Sequence, residues 1–174
     1  MALSKIQSES VNLADNFAFT GTVTGAGGGK TLQMVRAAAT PRLAGSVTAG
    51  TYIDTGLTAS ITPSSTSSKI LVFSRIGMNA TVSTYHYNRA MRSIGGGSYA
   101  VPTGSNQYGQ AVEYKAGSEW TSIDTAFIDE PATTSAITYK VQYTTHNNAT
   151  WNYGWNATGG ADNMNALILI EIGA

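Results

Sequence analysis

The sequence predicts an all-β chain: a jelly-roll-like β-sandwich of about eight strands behind an extended N-terminal arm. Three observations carry that expectation. Beyond residue 47, apolar and polar residues alternate with a period of two in one segment after another. Clusters of Ser, Thr, Gly, Pro and Asn punctuate those segments. Outside residues 30–39 no stretch carries the helical period over ten residues. The boundaries expected are an arm with a Gly-rich hinge over 1–47 and the sandwich over 48–174.

The arm comes first. Leu3, Ile6, Val11, Leu13, Phe17, Phe19 and Val23 are scattered without a sustained period. A segment of that kind cannot bury its own side chains and must lean on another surface. Gly25-Ala26-Gly27-Gly28-Gly29 follows as a hinge. Lys30 to Ala39 reads as a short helix or a strand, which Thr40-Pro41 ends either way.

The strands follow in order. Thr51 to Ile61 puts Ile53, Thr55, Leu57, Ala59 and Ile61 on one face. Pro63 to Ser68 is a turn cluster, and Lys69 to Ile76 (KILVFSRI) is a largely buried strand. Met78 to Ser93 holds more strand around Tyr85, Tyr87, Arg89 and Met91. Gln107 to Tyr114 and Glu119 to Ile128 follow, the latter broken by Asp129-Glu130-Pro131. In Ser135 to Thr145, Ile137, Tyr139, Val141 and Tyr143 face in while Thr138, Lys140, Gln142 and Thr144 face out. Thr150 to Trp155 is short and aromatic. Ala166 to Ile172 (ALILIEI) is apolar on both faces and reads as a central or interface strand.

Composition narrows the function. Ten Lys and Arg balance ten Asp and Glu, and only 11% of the 174 residues are charged. Ser, Thr, Gly and Asn supply about two-fifths of the chain, well above average usage. Without a basic excess, a nucleic-acid partner is not expected. No apolar run approaches the length of a membrane span, so no membrane partner is expected either. The chain has no cysteine, which excludes disulfides, thiolate metal sites and cysteine nucleophiles.

Catalytic and ligand motifs are weak. Thr24 to Thr31 (TGAGGGKT) resembles a phosphate loop, but Thr24 stands where the first glycine belongs. His86 and His146 lie beside no nucleophile motif and are expected at the surface or an edge. Asp124, Asp129 and Glu130 are the one acidic cluster, and Pro131 after it points to a turn. Ala161 to Asn165 is a poor calcium loop. No catalytic residue, metal or cofactor is therefore expected, and no enzyme activity. The aromatic residues Tyr85, Tyr87, Trp151, Tyr153 and Trp155 offer large apolar area with polar handles. They suit an interface or a receptor, although Trp151, Tyr153 and Trp155 share a strand face, which favours core or subunit contact.

Several segments carry a resemblance. These are Met1 to Ser10 (MALSKIQSES), Lys30 to Ala37 (KTLQMVRA), Thr51 to Val72, Phe127 to Gln142 (FIDEPATTSAITYKVQ) and Ile168 to Ile172. Together they resemble β-rich virion proteins of tailed bacteriophages, of the capsid decoration or tail fibre type. The resemblance implies a structural protein on the virion surface, made in the bacterial cytoplasm, with a jelly-roll knob in a homotrimer. The absence of shaft repeats favours a cement protein that grips the major capsid protein. Leu3, Ile6, Val11, Leu13, Phe17 and Phe19 of the arm are its expected contacts. The alternative is a tail fibre or receptor-binding tip recognising the host surface.

Overall fold

A computed structural model describes residues 29–37, 43–102, 110–117, 120–153 and 165–173. They form ten strands: β1 (Thr31–Arg36), β2 (Leu43–Val47), β3 (Ile53–Ile61), β4 (Lys69–Ala80), β5 (Thr84–Ile94), β6 (Ala111–Lys115), β7 (Trp120–Asp129), β8 (Ile137–Thr145), β9 (Ala149–Tyr153) and β10 (Ala166–Ile172). The described residues contain no helix. The sandwich expected from the sequence is therefore present, with ten strands where about eight were predicted. The two additional strands, β1 and β2, lie in the stretch assigned to the arm. They pair antiparallel with β10 and β9, so this part of residues 1–47 belongs to the sandwich.

All pairings are antiparallel, and five of them nest inside one another. β5 pairs with β6, β4 with β7, β3 with β8, β2 with β9, and β1 with β10. The described strands thus form one long two-stranded ribbon, rolled up so that its four inner segments alternate between the two sheets while the outermost, β1–β10, shares the first sheet with β2–β9. The first sheet runs β1-β10-β4-β7, with β9 and β2 continuing from the far end of β4; the second runs β3-β8-β5-β6. This order is that of a jelly roll, which closes most of the polar strand edges that an open sheet would leave bare.

β4 forks the first sheet. Lys69 to Arg75 pair with β10, and Met78 to Ala80 pair with β9 on the same edge. In the gap, the Gly77 amide donates to the side-chain carbonyl of Asn165 at 2.9 Å. A buried amide without a partner would be costly, so this side chain supplies the missing ladder bond.

The core follows the predicted alternation closely in β3 and β8. Leu57, Ile61, Ile137, Tyr139, Val141 and Tyr143 are buried between the sheets. Opposite them stand Ile70, Val72, Ile76 and Met78 of β4 with Leu167 and Leu169 of β10. Each such side chain contributes about 1.5–3 kcal/mol of burial. The type of turn is chosen by glycine at one corner. Gly95 and Gly96 have φ of +58° and +77°, and Gly97 donates to Ile94 at 3.0 Å. Positive φ at both central residues defines a type I′ turn, which suits the twist of the ribbon it closes.

One carboxylate ties the first sheet together. Glu171 of β10 is buried and accepts from the Ser64 amide at 2.7 Å, the Ser64 hydroxyl at 2.6 Å and the Gln33 amide group at 2.6 Å. Burial works to raise its pKa, but these donors outweigh it and hold the carboxyl at about 2. The contacts join β1 and the β3–β4 turn to the central strand.

Candidate functional site

The titratable residues singled out in the sequence do not converge. His86 is buried, a correction to its expected place at the surface or an edge. It stacks on Tyr143 with ring centroids 5.9 Å apart, and its Nδ1 lies 2.8 Å from the Tyr143 hydroxyl. Burial pushes its pKa down to about 4, with the positive charge of Lys115 adding to the effect. His146 is exposed, as expected, and meets Tyr85 edge-on at 6.2 Å.

The acidic cluster is dispersed. Asp124 faces Arg75 at 3.7 Å and Glu130 faces Lys69 at 2.7 Å, both at the surface. Asp129, expected in a turn, instead closes β7 and is fully buried. It accepts from Arg92 and from the Tyr139 hydroxyl, each at 2.5 Å. The donors sit in the second sheet and the carboxylate in the first, so the triad is a strut across the sandwich. Among the described residues no group of three or more His, Cys, Asp or Glu is placed to hold a metal. No helix among them is long and apolar enough to cross a membrane.

What the fold does assemble is two contrasting outer faces. On the first sheet, cross-strand register lines up Met34, Ile170, Leu71 and Ile128 in one row. Arg36, Ile168, Phe73 and Ala126 form the next row. Met34 is 66% exposed and Ile128 53%, and Leu32 adds to the patch at the β1 edge. The Lys69–Glu130 pair bounds the patch at one end and the Arg75–Asp124 pair at the other. The outer face of the first sheet thus has an apolar centre within a charged rim. The expectation that β10 is apolar on both faces belongs to this arrangement. The contributions of β1 and β4 went unread, although Leu32, Met34, Leu71 and Phe73 each fall at period-two positions, whereas Ala126 and Ile128 of β7 do share one face by the sequence period.

The outer face of the second sheet is aromatic. Tyr85 pairs in register with Tyr114, their rings tilted together at 4.9 Å and both about half exposed. Tyr87 is half-buried beside Val112. Next to it the Arg89 guanidinium lies 3.6 Å above the Tyr52 ring and donates to Gln142 at 2.9 Å. Lys140 sits 4.4 Å over Tyr99 and 2.9 Å from Asp54. Between the 49–52 segment and the ends of β5 and β8 is a cleft of about 460 Å³.

The other predicted residues divide as follows. Trp151 is buried against Tyr143 at a centroid distance of 5.5 Å, with Gly45 directly across the strand pair. A Cβ at Gly45 would come within 3.2 Å of the indole nitrogen, a tight contact that the ring could relieve only by shifting a few tenths of an ångström. The side chain of Tyr153 and the whole of Trp155 lie outside the described residues, as do Leu3, Ile6, Val11, Leu13, Phe17, Phe19 and the glycine cluster before Gly29.

The fold and these faces define a class: an all-β jelly-roll sandwich with an apolar and an aromatic outer surface. Neither a family model nor a curated protein matches the chain. Among solved structures it is similar to a chain in the structure of infectious bursal disease virus, Gt strain, with 12% identity and a TM-score of 0.42. The match covers 97% of this chain and 46% of that one, so the present sequence spans less than half its length.

Proposed function

We propose that the chain is a structural, non-enzymatic protein of a bacteriophage virion, a capsid decoration protein that works as a homotrimer. The observation that carries this reading is the apolar outer face of the first sheet, centred on Met34, Ile170, Leu71 and Ile128. A second copy of the chain is its occupant, because closed symmetric assembly is the common way to cover an apolar face of this kind. The arm residues Leu3, Ile6, Val11, Leu13, Phe17 and Phe19 then engage the major capsid protein. Jelly rolls recur in viral capsids, and the segments quoted above resemble phage virion proteins. A second reading, a tail fibre or receptor-binding tip, draws on the half-exposed Tyr85 and Tyr114.

Two measurements test the reading. Light scattering after size exclusion should give an oligomer for the wild type and a monomer for Met34→Glu/Ile128→Lys. Both positions are exposed, so the monomer should melt within a few degrees of the wild type. A wild-type monomer at tens of micromolar rejects the oligomer. Deleting residues 1–24 should abolish occupancy on purified capsids, and undiminished occupancy rejects the cement role.

A further inference from the structure

We propose that Tyr85 and Tyr114 form an oxidative modification site. Under one-electron oxidation by a haem peroxidase with hydrogen peroxide, the two rings join in a dityrosine bridge that staples β6 to β5.

The hairpin builds the pair. Tyr85 and Tyr114 stand opposite each other in register, where side chains on one sheet face touch. Their ring centroids are 4.9 Å apart, near the short end of aromatic contact distances, and the ring planes are tilted by 55°. Tyr85 is 47% exposed and Tyr114 53%, so an oxidant in solution reaches both. Other described tyrosines are placed differently. Tyr139 and Tyr143 are fully buried, their hydroxyls held by Asp129 and the His86 ring. The Tyr52 ring lies under the Arg89 guanidinium and the Tyr99 ring under the Lys140 ammonium. A cation drawn to a ring face opposes the removal of an electron from that ring.

The chemistry balances. Each phenol gives up one electron and its hydroxyl proton, which leaves a neutral phenoxyl radical with spin on the carbons ortho to oxygen. Two of these carbons, one from each ring, form a single C–C bond. Each then loses its hydrogen as a proton while its oxygen takes one up, and both phenols are restored. The pair has lost two electrons and two protons in all, which reduce one hydrogen peroxide to two waters. Radicals already in contact meet each other far more often than a second chain in dilute solution. Among the described residues β6 pairs with β5 alone, so the bridge fastens a sheet edge. It constrains the unfolded chain as a disulfide does.

The test treats the full chain, at low micromolar concentration, with a haem peroxidase and hydrogen peroxide. Dityrosine fluorescence should appear. Peptide mass mapping should find the Tyr85 and Tyr114 peptides linked within one chain, lighter by two hydrogens than their sum. The linked protein should melt about 5–10 °C higher. Tyr85→Phe and Tyr114→Phe keep the ring packing and should each lower the yield of the intrachain link at least tenfold, whereas Tyr99→Phe should leave it unchanged. The proposal is overturned by an absence of dityrosine, by links only between chains, or by an intrachain link carried by other tyrosines. Wild-type yield in Tyr85→Phe overturns it as well, and an unchanged melting temperature overturns the staple. The oligomer and capsid-occupancy measurements are independent of these outcomes, because the tyrosine pair and the apolar patch lie on opposite sheets.

Discussion

Replacing Asp129 with alanine should destabilise the chain by about 3–5 kcal/mol, the usual effect of removing one partner from a buried ion pair. Its carboxylate has no exposure to water and is held at 2.5 Å by both Arg92 and the Tyr139 hydroxyl. The Arg92 side chain is itself only 15% exposed. Without Asp129, a mostly buried cation and a buried hydroxyl lose their acceptor together. Desolvation without compensation is the expensive case, whereas replacing the whole set by apolar groups need not be. The triple variant Asp129→Leu/Arg92→Met/Tyr139→Phe should therefore recover most of the loss. Urea unfolding of the two variants against the wild type measures both. A loss below about 1 kcal/mol for Asp129→Ala would show that the strut carries little load.

The second large effect is a loss of stability in mild acid. The folded-state pKa of His86 lies at about 4, below its ordinary value of 6.5. Between those values the unfolded chain takes up a proton at this position and the folded chain does not. Unfolding then binds protons, so stability rises with pH across this window and falls as the pH drops through it. A depression of this size corresponds to on the order of 3 kcal/mol between pH 7 and pH 4. His86→Gln has no such proton to bind, and its stability should stay nearly flat from pH 6.5 to about 5, where Glu171 begins to contribute. Glu171 acts in a lower window by the same rule. Its folded pKa of about 2 lies below the ordinary 4.5, so its contribution is complete above pH 4.5 and is lost towards pH 2. Denaturant melts at half-unit pH steps separate the two. Parallel wild-type and His86→Gln curves above pH 4.5 would contradict the assignment to His86.

The parts of the fold legible in the sequence are those where burial alone sets the pattern. β3 and β8 bury one face and wet the other, so Leu57, Ala59 and Ile61, and Ile137 through Tyr143, stood out by period. β5 did not, because its inward positions are polar. Thr84, His86 and Asn88 face the core, while Tyr85, Tyr87 and Met91 face outward. The interior there is filled by bonded polar pairs, His86 with Tyr143 and Asn88 with Thr125. A hydropathy period cannot register such pairs. Asp129 misled for the same reason: beside Pro131 it looks like a turn residue, and its partners lie at positions 92 and 139. β1 stayed open between helix and strand because Leu32 and Met34 point away from the core and only Val35 packs against it. The cleft was invisible in one dimension, since Tyr52, Tyr87 and Thr144 meet only once β3, β8 and β5 pair.

The nested ribbon also fixes an order of events in time. Only the β5–β6 hairpin joins strands that are neighbours along the chain; every other pair of the ribbon encloses the one before it. Closing an outer pair first would mean trapping a large loop at high entropic cost, so zippering outward from the hairpin is the economical route. β1 waits longest, because its partner β10 is made after every other strand of the ribbon. Refolding should accordingly be slow for the size of the chain, in the millisecond-to-second range, with protection of β1 amides among the final events in pulse-labelling exchange. Until that seam seals, the sticky flank of β10 is bare, and a nascent chain is open to pairing with the wrong neighbour.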